Sequence, residues 1–225
     1  MKALGFCAGL FALAGLALAQ QPAQGGCTVQ QAMEAERRSD WNGAIRLYTC
    51  LSAAAPTDWR PVNSIAGVYG LMNRPADEVQ WAQKAAGLAP GQQEPYLNLG
   101  TAQANLKNTA AAKAAFRKAE AVAPTSPLGP YSLGVLADEA HNVGEAEPYY
   151  RKALQLAPDF EDASVSLAAL LGNTNRVAEA IPILQRVVAA NPDAADARQM
   201  LEQMQRGGTP AEPQAAPHQA PIERR

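Results

Sequence analysis

Four carboxylates, Asp138, Glu139, Glu145 and Glu147, crowd a short stretch that also holds His141. Paired carboxylates are the residues of acid–base chemistry, because one can stay protonated while its neighbour is ionised. The competing reading is a charged, solvated helix face with His141 in a turn, and the rest of the chain favours it. It contains no H-E-x-x-H, no phosphate-cradling G-x-x-x-x-G-K-[ST], no G-x-S-x-G and no calcium loop. The other chemistry-bearing residues are few: a second histidine, His218, and three cysteines, Cys7, Cys27 and Cys50. No metal ligand set and no cofactor motif emerge. The expectation is a protein that is not an enzyme and needs no cofactor, with Glu139 as the residue on which an enzyme reading would rest.

The elements that carry these residues follow from spacing. Pro56, Pro90, Pro124, Pro158 and Pro192 stand 34 residues apart in strict register. Other columns share the step. Small residues recur at Ala32, Ala66, Gly100, Gly134 and Ala168, and again at Ala44, Ala112, Ala146 and Ala180, with Glu78 as the exception. Bulky residues recur at Tyr48, Phe116, Tyr150 and Leu184, with Ala82 as the exception. A fixed period of this length marks a solenoid whose units stack on their neighbours. Within a unit the apolar spacing is helical, as in Leu99, Ala102, Leu106 and then Ala112, Ala115, Phe116, Ala119. Two helices joined by a short polar turn such as Lys107-Asn108-Thr109 make an antiparallel hairpin. Gly100 and Ala112 let the helix axes approach, Pro124 stops the second helix, and Ser126 can cap the next one. Pro61 and Pro95 fall in first turns, where a missing N–H costs little. Pro148 and Pro182 fall further in. Either they bend their helices, or those helices start later than the register suggests.

With these columns in place, the sequence resembles the tetratricopeptide repeat family. Its clearest units are Tyr96…Leu99-Gly100…Ala112…Phe116…Ala119…Pro124 and Leu133-Gly134…Ala146…Tyr150…Ala153…Pro158. The resemblance implies an all-α, right-handed α-solenoid of about five helix-turn-helix repeats plus a C-terminal capping helix. The units run over residues 25–58, 59–92, 93–126, 127–160 and 161–194, with the cap at 195–206. The first unit departs at Gln31 and the second at Glu78 and Ala82, so these two are expected to pack least well.

The ends carry other information. Lys2 precedes an Ala/Leu/Gly-rich stretch ending in Ala17-Leu18-Ala19. A positive n-region, an apolar core and an A-x-A site describe a secretory signal over residues 1–19, with cleavage after Ala19. A retained anchor is the alternative, disfavoured by the stretch's length and its Ala and Gly content. Cleavage removes Cys7 and leaves Cys27 and Cys50 near adjoining ends of the first hairpin. They form either a disulfide or two separate thiols, and an oxidising compartment favours the disulfide. Residues 20–24 read as a flexible leader. Residues 207–225, rich in Pro, Ala and Gln, read as a disordered tail. The formal charge is −2, and residues 108–206 hold nine basic against twelve acidic groups. Without a basic stripe the chain is not expected to bind nucleic acid or anionic membranes.

Function must then come from a surface. The resemblance implies that the first helix of each unit lines a concave groove for a peptide segment or partner helix. Projected onto this sequence, the groove-facing set includes Val29, Met33, Arg37, Arg60, Asn63, Leu97, Asn98, Thr101, Asn105, Leu128, Tyr131, Val135, Asp138 and Val165. Glu36, Glu94 and Asp162 also fall in it. Aliphatics and Tyr131 supply anchors, and amides can bond an extended backbone. The cationic clamp by which some family members hold a terminal carboxylate is missing. The resulting expectation is an exported scaffold, periplasmic in a Gram-negative bacterium, that binds protein in envelope assembly, pilus or secretion machinery, or maturation of exported proteins. A structural subunit that works through its convex face or tail is the alternative.

Overall fold

The computed structural model describes residues 26–207, which form eleven α-helices with no strand among them. Residues 1–19, the leader 20–24 and residues 208–225 of the tail lie outside the described residues. Five hairpins follow one another: α1 (Val29–Arg37) with α2 (Trp41–Ala54), α3 (Trp59–Leu71) with α4 (Pro75–Leu88), α5 (Glu94–Asn105) with α6 (Thr109–Val122), α7 (Leu128–Glu139) with α8 (Val143–Leu156), and α9 (Glu161–Asn173) with α10 (Val177–Ala190). A last helix, α11 (Ala195–Gln205), follows α10. Each helix packs on the next in the chain, which is the arrangement of a solenoid.

Two kinds of turn alternate, and both keep the 34-residue step. The turn within each hairpin is closed by a residue with positive φ: Ser39, Asn73, Lys107, His141 and Asn175, at 53° to 62°. In the third hairpin the Lys107 N–H donates to the Ala104 carbonyl and the Asn108 N–H to the Gln103 carbonyl, both at 2.8 Å. The other four hairpins repeat this double bond, so each first helix ends in a Schellman motif. The turn between hairpins carries the repeated proline in second place, as in Ala123-Pro124-Thr125-Ser126. There the Ser126 N–H donates to the Ala123 carbonyl at 3.0 Å. The Ser126 hydroxyl accepts from the Leu128 N–H at 3.3 Å, opening α7.

The column residues meet inside the hairpins. Ala32, Ala44, Ala66, Ala112, Ala146, Ala168 and Ala180 are fully buried. A Cβ on Gly134 would fall 2.6 Å from the Tyr150 ring, and one on Gly100 would collide with Phe116. Glycine is therefore required at these two positions, whereas in the first hairpin Ala32 accompanies Tyr48. The two departures have local explanations. Gln31 leaves the apolar column because it closes a capping box: its side chain accepts from the Thr28 N–H at 2.9 Å, and its own N–H donates to the Thr28 hydroxyl at 3.2 Å. Glu78 is only 3% exposed and lies against Gly70, in the one hairpin where Ala82 replaces the bulky residue.

Pro148 and Pro182 are each the sixth residue of a continuous helix. The later-start alternative is thus overturned, because α8 and α10 begin at Val143 and Val177. Cys27 and Cys50 form a disulfide with a Cα–Cα distance of 6.3 Å, stapling the entry of α1 to α2. At the other end α11 buries Ala197, Met200 and Met204 against Leu167, Leu171 and Leu184 of the last hairpin.

Candidate functional site

Three pairs of successive odd-numbered helices touch directly, α3 against α5, α5 against α7 and α9 against α11, whereas α1 and α3, α7 and α9, and all pairs of even-numbered helices stand further apart. The odd helices form the inner, tighter layer. The even helices instead reach one another through long charged side chains. Lys113 of α6 pairs with Glu145 of α8, and Lys152 Nζ lies 2.6 Å from Glu120 Oε1. Between α8 and α10, Arg151 Nη2 lies 3.1 Å from Glu179 Oε2. Arg176, at the head of α10, holds Glu147 at 2.7 Å. The Arg176 and Arg151 hydrogen bonds keep the Glu147 carboxyl below its ordinary range despite partial burial.

These contacts account for most of the acidic cluster. Glu145 and Glu147 join one repeat to the next, and Asp138 accepts the Tyr150 hydroxyl at 3.2 Å across its own hairpin. The same pair occurs in the first hairpin, where the Tyr48 hydroxyl donates to buried Glu36 Oε1 at 2.6 Å. Burial and Asp138 together push the Tyr150 phenol up. Asp138 and Glu36 therefore sit in the groove register but bond into the hairpin seam. The signal for this was in the sequence. Acids occupy this column only where a tyrosine stands twelve residues on, whereas Ala104 faces Phe116 and Gly172 accompanies Leu184.

Several residues projected onto the groove are interior. Leu97 is only 2% exposed and packs among Ala104, Ala112, Phe116 and Leu133, so it offers no surface to a partner. Asn63, Asn98 and Thr101 are buried as well, and Asn98 Nδ2 donates to Asn63 Oδ1 at 3.0 Å, joining α5 to α3. A buried amide without such a partner would cost about 1–3 kcal/mol, which is the reason for the pairing. Toward the N-terminus Val29 is 52% exposed, Met33 is half-buried, and Arg37 is exposed and paired with Glu34. Arg60 is exposed and lies over the Trp59 ring at 5.7 Å. Asn105 is exposed at the end of α5.

The residues that gather into a continuous half-buried strip are Leu128, Tyr131, Val135 and Val165. Tyr131, Val135 and Val165 rest on the C-terminal core, and Leu128 rests on the middle one. Phe160, absent from the sequence projection, belongs with them. Its ring meets Tyr131 edge-on, with centroids 5.2 Å apart at 74°. It was missed because it precedes α9 and so lies outside any helical register. Burial, then the Asp162 carboxylate, push the Tyr131 phenol up. Burial and Asp196, in the first turn of α11, raise both Asp162 and Glu161. Among the described residues no cluster suited to a metal ion occurs, and no helix is long and apolar enough to cross a membrane.

Comparison with known proteins places this geometry. Tetratricopeptide-repeat family models match residues 93–126 and 139–204. Among solved structures the chain is similar to TTC0263, a thermophilic tetratricopeptide protein of Thermus thermophilus (TM-score 0.66, 16% identity, covering 78% of this chain and 96% of that one). It is also similar to MamA (TM-score 0.58, 22% identity, 78% and 96%). A third similar structure is YrrB, a tetratricopeptide protein described as having an unusual peptide-binding site (TM-score 0.51, 21% identity, 71% and 82%). No curated protein matches the chain significantly. Matched repeats, the 34-residue step in both kinds of turn and the paired-helix stacking converge on one conclusion: the chain is a tetratricopeptide-repeat protein.

Proposed function

We propose that this protein is an exported scaffold that holds a segment of a partner protein against its inner face, without catalysis. The observation that carries the reading is the strip formed by Leu128, Tyr131, Val135, Phe160 and Val165. These side chains are packed from below and half-open above, on the layer of odd helices. Such a surface gains most from an apolar side chain inserted into it, and the exposed Asn105 amide at the end of α5 can bond a peptide backbone. The peptide-binding site ascribed to YrrB lends the reading an analogy on the same fold. Export is supported by the signal pattern ending at Ala19 and by the Cys27–Cys50 disulfide, which persists in oxidising compartments.

Photocrosslinking in cells tests this directly. A photoreactive residue at Val135 on the inner face is expected to trap a discrete exported protein, while one at Arg117 on the outer helix α6 is not. Capture at Arg117 with none at Val135 would move the working surface to the outer face and make the protein a structural subunit. Processing at Ala19 is checked by the mass of the exported chain.

A further inference from the structure

We infer that the segment taken up on the inner face is cationic: a stretch of another polypeptide in which lysine or arginine flanks an apolar side chain. The inference rests on the groove reading above and adds the chemistry of the partner.

Charge is segregated by layer. The inner helices α5, α7 and α9 contain Glu94, Asp138, Glu139, Glu161 and Asp162 and not one lysine or arginine. The helical cations of the same repeats, Lys113, Arg117, Lys118, Arg151, Lys152 and Arg186, all stand on the even helices, while Lys107 and Arg176 stand in the hairpin turns. Several of those are already bound to Glu145, Glu120, Glu147 and Glu179.

At the C-terminal end of the strip the imbalance is sharpest. Glu161 and Asp162 occupy the first turn of α9, Asp196 occupies the first turn of α11, and these two helices lie side by side. Among the described residues none of the three carboxylates has an ion pair. An acid in a first helical turn is favoured by the helix dipole, and that explains one carboxylate per helix. It does not explain why three successive inner helices lack any cation. Burial, and after it the Asp196 carboxylate, raises both Glu161 and Asp162, with only the Ala197 N–H acting against it at Glu161. A lysine or arginine brought by a partner would offset that repulsion.

An apolar anchor lies next to the charge. Phe160 and Tyr131 meet ring to ring, and Asp162 follows two residues after Phe160, close enough to raise the Tyr131 phenol. A partner residue seated on the ring pair leaves its neighbours beside Asp162, which fixes the spacing of anchor and cation. An acidic segment, a nucleic acid or an anionic lipid surface would meet like charge on α5, α7 and α9.

The test is selection of a displayed random peptide library, about twelve residues long to match an extended segment, on the full chain and on an Asp162→Asn/Asp196→Asn variant. The expected result is enrichment of peptides with lysine or arginine next to a leucine or aromatic residue. Their affinity should fall with added salt and weaken about tenfold on the variant. Both substitutions are in exposed first turns, and circular dichroism checks the fold. An Asp162→Lys chain is the second probe and is expected to favour acidic peptides instead. If enriched peptides lack cations yet lose binding when Val135 is changed to Asp, the charge inference is overturned and the groove reading stands. If enriched peptides ignore every inner-face substitution, or no peptide is enriched, both are overturned.

Discussion

At the scale of single residues, the most consequential is Glu78. It takes the place of an alanine, is buried against Gly70, and its Oε2 has no partner. Desolvation pushes its carboxyl up to about 8 from the ordinary 4.5. Between those values the folded chain binds more protons than the unfolded one, so stability falls as pH rises across the window and levels off above it. Below 4.5 both states are protonated and the contribution is fully favourable. Glu78→Gln removes the titration. Its stability is expected to match wild type near pH 5 and to exceed it near pH 9 by on the order of 1–3 kcal/mol. Urea unfolding of both chains across that range checks this, and parallel pH curves would refute it. The sequence already showed Glu78 as an irregularity, but as a sign of loose packing. That Glu78, Gly70 and Ala82 compensate one another became visible only when their side chains were placed. The Tyr48–Glu36 and Tyr150–Asp138 pairs left a trace in the sequence, an acid twelve residues before each tyrosine, but the period aligns columns while the bond joins two different ones, so the trace is read only by comparing columns.

At the scale of elements, the helices and turns were legible because propensity, patterning and period agreed. The left-handed residue in each hairpin turn was not, since Ser39, Asn73, Lys107, His141 and Asn175 share a backbone conformation rather than a chemistry. Lysine fits that conformation worse than asparagine, which tolerates it better, or glycine, which has no Cβ to clash. Lys107→Gly is therefore expected to stabilise the third hairpin by up to about 1 kcal/mol, and Asn73→Val to destabilise the second by more than that. Thermal melts of the two variants measure both, and equal effects of either sign would refute the turn argument. The first hairpin depends on a different device. The Cys27–Cys50 link closes a loop with a sequence separation of 23, worth about 3 kcal/mol. Replacing both cysteines by serine is expected to speed amide exchange throughout α1 and α2 and to leave α7–α10 unchanged, because units couple only to their neighbours. Mass spectrometry of exchanged peptides resolves the two ends. A change confined to the residues beside the cysteines would show that the link staples nothing.

For the molecule as a whole, architecture was readable and the working surface was not, and the contrast has a physical cause. A solenoid repeats its interior, so core positions write themselves into the sequence several times over. A binding face occurs once. Leu97 and Tyr131 occupy the same column, yet Leu97 is enclosed by the middle core while Tyr131, larger and carrying a hydroxyl, stays half-open beside Phe160. Nearest-neighbour coupling also determines what the last helix does. Met200 and Met204 of α11 belong to the same cluster as Leu167, Leu171, Leu184 and Val187, the largest of the three cores. A chain ending at Ala194 re-exposes that surface, a loss of about 3–6 kcal/mol for two methionine contacts. The expected outcome is local. Compared with a chain ending at Gly207, exchange accelerates in α9 and α10, less in α7 and α8, and not measurably in α1–α4. Loss of the cap also uncovers apolar surface beside Val165, so the shortened chain should associate as its concentration rises, which sedimentation would detect. Uniform acceleration along the whole chain would mean that the eleven helices unfold as one cooperative body. The inner face would then be stabilised by the entire array rather than by the repeats adjacent to it.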